Sequence, residues 1–335
     1  MSNEKNISAF SKPIDGSNNV NPKSSPVGNN PFMKPIQPTK ASDTVPKASD
    51  TVPKASDTVP VPVENSPKIS MGDGKRYSFE IDHLTHVFDE GTEHEFKIFD
   101  DFSLKVEDKP VISEVVSIMG GSGCGKSCLL KMSAGLMTPQ KGDIRIFGQH
   151  INEYKSVPMV FQSYSSFHWM TVIDNVALPM VLKGMDKKDA RDKAMETLKL
   201  VGLEEHARKY ANASKLSGGQ LQRVSIARCL TSNSKVFFLD EATGALDIKM
   251  KREIQDLIIK IAEETEHTII NVTHSLEEAL YISNKIFILK PNPCTIFEEM
   301  DIDYGREKRG RWIFDSQKYR EFSKHLSASL DEVCK

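Results

Sequence analysis

Gly120-Gly-Ser-Gly-Cys-Gly-Lys126-Ser127 stands directly after an apolar run, Val115 to Met119, and directly before a helical run, Cys128 to Leu136. A buried strand, a glycine-rich turn and a helix in that order belong to an α/β fold, in which parallel strands alternate with helices. The glycines allow successive backbone N–H groups to turn inward, and the helix that follows presents its positive end to the same point. Lys126 adds a full charge there, and Ser127 adds a hydroxyl suited to a hard divalent ion. The expected phosphate-binding set is therefore Gly120, Gly121, Ser122, Gly123, Cys124, Gly125, Lys126, Ser127 and Cys128. For Cys124 the loop allows two outcomes, a thiolate stabilised by the helix end or a small buried residue without reactivity.

The rest of the chain fits the same class. Alternation in Phe102-Ser-Leu-Lys-Val106 predicts a half-exposed strand. Further strands are expected at Ile144 to Phe147, Met159 to Phe161, Val236 to Leu239, Thr268 to Val272 and Ile286 to Leu289. Between Thr171 and Thr231 the pattern is helical instead, with Ala190, Ala194, Leu198 and Val201 spaced by three and four. A helical insert of about 163–231 is thus expected within a sheet domain of 75–302. The segment 303–335 follows as an extension whose Tyr319, Phe322, Leu326 and Leu330 predict a helix over Gln317 to Val333, either a lid on the domain or a dimer contact. Residues 1–74 differ in kind. They hold 11 of the 17 prolines, only two aromatics, and three tandem copies of Lys-Ala-Ser-Asp-Thr-Val-Pro starting at Lys40, Lys47 and Lys54. Such a composition buries too little apolar surface to offset its ordering entropy, so a disordered spacer is expected.

Two further motifs narrow the chemistry. Val236-Phe-Phe-Leu-Asp240-Glu241 is an apolar strand ending in two carboxylates, at the edge where open α/β sheets bind ligands. Leu216-Ser217-Gly218-Gly219-Gln220 opens a second helix and so makes a second anion-attracting N-terminus. One chain has a single phosphate loop, so this second site makes sense if it closes over a nucleotide held by a neighbouring chain.

With these residues in place, 77–302 resembles the ABC ATPase family, whose signature is LSGGQ and whose domains pair head to tail. The resemblance implies a P-loop NTPase core with a mostly parallel sheet, an antiparallel β subdomain and an inserted α-helical subdomain. It implies ATP and Mg²⁺ as ligands, with Ser127, Gln162 and Asp240 around the metal. It also implies Glu241 as the base that polarises water, His274 as the switch histidine and Gln162 as the glutamine that senses the membrane partner. Phe88 takes the place of the aromatic that stacks on adenine. Ser217, Gly218, Gly219, Gln220 and Asp247 would reach the ATP of the partner chain in a homodimer or a heterodimer of relatives. Cys128 and Ser275 depart from the residues usual at their positions, and neither departure removes a ligand.

Ser165-Ser-Phe-His168-Trp169-Met-Thr-Val-Ile-Asp-Asn175-Val-Ala-Leu-Pro179 resembles the corresponding stretch of importer ATPases of the nitrate, sulfonate and taurine type. That implies a separate permease as partner, a substrate-binding protein outside, and import of a small solute. The alternatives within this reading are an ATPase of lipid or lipoprotein transport and a soluble ABC ATPase without a transport role. Lys plus Arg at 44 against Asp plus Glu at 46 gives 44 − 46 = −2, so no global field attracts nucleic acid, and none is expected as a partner. There is no apolar run long enough to span a bilayer and five scattered cysteines suggest no disulfide framework. The expected location is the cytoplasm, peripheral on the inner face of the cell membrane.

Overall fold

A computed structural model describes residues 75–109, 113–153, 157–305 and 309–334. The tandem repeats and part of the basic run Arg306 to Arg311 lie outside the described residues. The described residues all fall within one unit, 64–335.

Two sheets organise it. The first is antiparallel, with β1 (Tyr77–Phe88) between β2 (Phe96–Glu107) and β4 (Lys141–Ile146), and the short β5 (Gln149–His150) at its edge. The second contains β3 (Val115–Gly120), β6 (Met159–Val160), β7 (Val236–Asp240), β8 (Thr268–Val272), β9 (Lys285–Lys290) and β10 (Thr295–Asp301). Its order is β10-β9-β3-β8-β7-β6, parallel throughout except for the antiparallel edge strand β10.

The parallel strands are largely apolar because both faces of their sheet are covered, with Ser117 of β3 and Asn271 of β8 among the polar residues buried in them. Successive side chains point to opposite faces, so Phe237 and Leu239 join the core beneath the helices, while Val236 and Phe238 join the core beneath the antiparallel sheet. Burying such a side chain contributes about 1.5–3 kcal/mol, so the two faces together anchor the sheet. Phe79 of β1 meets Phe238 edge-on at 5.6 Å between ring centroids, which ties the two sheets together.

Three helices lie between β6 and β7: α2 (Val172–Leu182), α3 (Lys187–Leu200) and α4 (Gly218–Leu230). Thr171, Asp186 and Ser217 begin them, each side chain accepting a backbone N–H of the first turn. Arg191 of α3 reaches back to Asp174 of α2 with Nε and Nη2, at 2.8 and 3.0 Å, locking the pair. The remaining helices are α1 (Lys126–Ser133), α5 (Ile248–Glu264), α6 (Leu276–Ile282) and α7 (Gln317–Val333).

Several expectations are adjusted. Strand β1 escapes the alternation test because irregular register at Phe79, Leu84 and His86 breaks its period, and His83 has φ 53°. Edge strand β10 is too polar to announce itself. Helix α1 stops at Ser133 rather than Leu136, since Gly135 turns the chain with φ 70°. Phe161 lies just beyond β6. For α7, the apolar face packs on its own domain: Leu326 and Val333 are buried, and His325 Nε2 and Ser329 Oγ hold Glu298 of β10 at 2.5 and 2.6 Å.

Candidate active site

The parallel sheet sets the site. Strands β3, β8 and β7 are neighbours, so the turns after their C-terminal ends stand side by side. After β3 comes the glycine loop, after β8 comes His274, and β7 ends in Asp240 followed by Glu241. Together they open on a cleft of about 430 Å³ lined by Ile98, by Gly120, Ser122, Gly123 and Gly125 to Cys128 of the loop, and by Glu241 and His274.

Two positions in the loop demand glycine. Gly120 has φ 155°, and a Cβ there would lie 2.6 Å from Leu289 O and 2.8 Å from Cys124 Sγ. Gly125 begins α1 with φ 97°, and a Cβ would press on Ile98 and Phe99 at 3.0 Å. Lys126 spans the loop, its Nζ donating to Gly120 O at 2.9 Å and Gly121 O at 2.8 Å. Cys124 is 1% exposed, so the loop holds it as a buried residue and not as an accessible thiol. Burial raises the pKa of Cys128 at the cleft wall.

Ser127 Oγ donates to Asp240 Oδ1 at 3.4 Å, which places two hard oxygen donors together below the phosphate loop. Burial and then the neighbouring Glu241 charge push the Asp240 carboxyl above its ordinary range, against the pull of Ser127, Lys131 and Lys126. Glu241 has φ 47°, a left-handed conformation that costs a non-glycine residue about 1–3 kcal/mol. The strain is held by Glu241 N donating to Val272 O at 3.0 Å and by Gly244 N donating to Glu241 O at 2.9 Å. His274 is aimed at it, with Nδ1 3.5 Å from Glu241 Oε1. Among the described residues no three His, Cys, Asp or Glu form a metal cage, so a divalent ion here would need ligand oxygens from elsewhere, as Mg²⁺ takes from phosphates.

The other sequence-derived residues are not among those lining this cleft. Ser217 and Gln220 close a capping box, with Ser217 N donating to Gln220 Oε1 at 2.9 Å and Gln220 N to Ser217 Oγ at 3.3 Å. Gly219 N donates to Met250 Sδ at 3.3 Å, which brings the start of α4 against the start of α5, where Asp247 is the cap. Thus Ser217, Gly218, Gly219, Gln220 and Asp247 gather on a second surface. Gln162 is exposed and lies by the turn after Glu241, where a Cβ on Gly244 would be 3.3 Å from its Nε2. Phe88 does not line the cleft. Its ring stands edge-on to His86, at 4.8 Å between centroids.

Sequence reasoning missed Ile98, an unremarkable strand residue whose place at the cleft follows only from β2 passing the loop. It also missed Gln140, which pins the end of β1 by accepting from Val87 N at 2.5 Å and donating to Val87 O at 3.1 Å. Tyr164 escaped too. A Cβ on Gly218 would collide with its hydroxyl.

Residues 99–244 match the family described as ABC transporter. An uncharacterized ABC transporter ATP-binding protein of Methanocaldococcus jannaschii is 33% identical, over 82% of this chain and 99% of that protein. A nitrate import ATP-binding protein of a Synechocystis species is 40% identical over 57% of this chain and 71% of its own length. A taurine import ATP-binding protein of Roseobacter denitrificans is 36% identical over 66% and 82% respectively. Among solved structures, a dimeric ATP-binding cassette bound to ADP and Pi is similar with a TM-score of 0.57 and 30% identity, covering 67% of this chain and 99% of that one.

Proposed function

Because the chain belongs to the family of ABC transporter ATP-binding proteins, an ATP-hydrolysing subunit, we propose that it powers import of a small solute through a separate permease, hydrolysing Mg-ATP at the cleft between β3, β7 and β8. The observation that carries the catalytic part is the approach of His274 Nδ1 to Glu241 Oε1, 3.5 Å apart at the mouth of the phosphate loop. Backbone N–H groups of Gly121 to Ser127 cradle the phosphates, and Lys126 neutralises the charge that builds on them. Ser127 and Asp240 would hold Mg²⁺, which would offset charge on the phosphate oxygens, and Gln162 would reach toward metal and water. Glu241 accepts a proton from the attacking water, and His274 keeps that carboxylate and the terminal phosphate in register. Phe88, at the end of β1, is the ring offered to adenine.

Ser217, Gly218, Gly219, Gln220 and Asp247 face the nucleotide of a second copy or a relative. Their support is the clustering of two helix N-termini, those of α4 and α5, on a surface away from their own cleft. The tail 1–74, the ATPase domain 75–302 with its helical part at about 163–231, and the extension 303–335 are the domains of this reading.

The partner surface lies on the helical part. Trp169, Leu182 and Tyr210 are 63%, 77% and 53% exposed, and Tyr210 stands beside the Trp169 turn, because Thr171 bridges to Tyr210 and Ala211 N donates to Met170 O at 3.0 Å. Large aromatic groups left in water are what a partner's helix would cover. No helix among the described residues is long and apolar enough to cross a membrane. In this reading the permease attaches the chain to the inner face of the membrane, and a substrate-binding protein delivers solute outside. Trp169→Ala with Tyr210→Ala tests this. Hydrolysis by the isolated chain should persist while co-purification with a co-expressed importer permease is lost; unchanged co-purification would remove the assignment of this surface.

A further inference from the structure

Glu278 stands outside the cleft, and its carboxylate is buried at 1% exposure. Three side chains meet its oxygens, and all three are donors. Thr243 Oγ1 donates to Oε2, Asn271 Nδ2 donates to Oε1 at 3.3 Å, and Lys251 Nζ lies 3.5 Å from Oε2. These three partners and Glu278 itself come from four places that frame the chemistry. Thr243 is in the tight turn that closes back on Glu241, and Asn271 is in β8, donating also to Ser117 Oγ of β3 at 3.2 Å. Lys251 is in the first turn of α5, its N–H donating to Asp247 O at 2.8 Å. Glu278 itself sits in the first turn of α6, which starts at Ser275 beside His274.

Its sequence setting promises something else. Ser275-Leu-Glu-Glu278 spells a capping box, in which the glutamate would reach back to the Ser275 N–H. Here Ser275 Oγ accepts from Glu278 N at 3.3 Å, but the Ser275 N–H is taken by Thr273 Oγ1 at 3.0 Å. The carboxylate is thereby released to turn inward. A buried carboxylate is unfavourable unless its oxygens are paired, and helix capping alone does not require burial.

We propose that Glu278 is a positioning residue for hydrolysis: it fastens the turn after Glu241 to the helix after His274, and so fixes the spacing of that pair. The proposal rests on the reading that Glu241 and His274 carry the chemistry. It does not place Glu278 in contact with nucleotide.

Thr243 offers the cleanest test, because Val has nearly its shape without the hydroxyl and Ser keeps the hydroxyl. In the full chain, Thr243→Val is expected to lower kcat by about tenfold or more, the scale on which sub-ångström misplacement of reacting groups acts, with KM for Mg-ATP within about twofold. Thr243→Ser should recover most of that kcat. A purely structural hydroxyl would lower the melting temperature and leave kcat intact at a temperature where the variant is folded. Wild-type kcat in Thr243→Val, or failure of Thr243→Ser to recover it, overturns the proposal. Should Thr243→Val not fold, Glu278→Gln serves, since one oxygen cannot serve three donors; here too a lower kcat at unchanged KM supports positioning and an unchanged kcat refutes it. Glu241→Gln is measured alongside. If that variant hydrolyses normally, the catalytic reading fails; if it is inactive and Thr243→Val is normal, only the role of Glu278 fails.

Discussion

Glu241 Oε1 lies 3.5 Å from His274 Nδ1, although one residue follows β7 and the other follows β8. The parallel pairing of Asp240 with Val272 brings the two turns level, so a carboxylate and an imidazole share one side of the cleft.

Glu241→Gln should therefore keep ATP binding and slow hydrolysis by about two to four orders of magnitude, the usual worth of a general base. The amide matches the carboxylate in shape but accepts no proton, and the phosphate loop is untouched. An ATP-bound dimer should accumulate and appear on size-exclusion chromatography with Mg-ATP. Turnover at the wild-type rate would sink the assignment of Glu241.

Thiol reactivity should follow burial rather than sequence position. Cys124, Cys229 and Cys294 are buried, burial pushes Cys229 up to about 12, and it raises Cys128 as well. Cys334 is exposed at the end of α7, and a Cβ on Gly121 would come within 3.3 Å of its Sγ. N-ethylmaleimide on the native protein should therefore label Cys334 first, and peptide mass mapping should find the adduct there. Prior labelling of Cys124 would show that the phosphate loop opens far more than its packing suggests.

A pH-dependent stability difference is expected at Asp174. Burial alone would raise its pKa, but bonds from Thr171 and Arg191 and the charges of Arg191 and Lys187 outweigh burial and lower it. A carboxyl depressed on folding stabilises above its unfolded pKa and loses that contribution as pH falls through the folded value. Asp174→Asn should cost about 1 kcal/mol at pH 7, a figure kept small because Arg191 stays partly in water. In urea melts the gap from wild type should shrink as pH drops from about 5 toward 3, across the ordinary carboxylate range. An equal gap at both ends would mean that the ion pair contributes nothing.

What the sequence made legible was whatever repeats with a simple period or binds through a fixed motif. The alternation of Phe102 to Val106 and the three-and-four spacing of Tyr319, Phe322, Leu326 and Leu330 map onto β2 and α7, because Phe102, Leu104 and Val106 are buried and the four α7 side chains are buried or partly buried against the domain core. The order of glycine loop, signature turn, paired carboxylates and histidine likewise sufficed to identify the family. Strand β1 was illegible because its bulges shift the side-chain phase partway along. Ile98 was hidden because its place at the cleft depends on how one sheet crosses another. The inward turn of Glu278 was hidden because its local pattern is that of a surface cap; Thr273 takes the N–H that the cap would use, and Thr243, Asn271 and Lys251, from other elements, hold the carboxylate inside.

Ser217 and Lys126 belong to different surfaces of one chain: Ser217 caps α4 beside α5, while Lys126 lies in the cleft after β3. If each ATP is sandwiched by two chains, Ser217→Arg should block closure by placing bulk and charge against the partner's phosphates, and leave nucleotide affinity of its own cleft intact. Lys126→Ala should instead weaken the cleft and leave the signature surface whole. Mixed in equal amounts, the two inactive variants form heterodimers in which one site carries both lesions and the other carries none. ATP hydrolysis should then return, toward the level of one working site per heterodimer, and should scale with the heterodimer fraction measured by tagged pull-down. A chain that completes its own site could not regain activity in any such mixture, so inactive heterodimers would count against the site in trans.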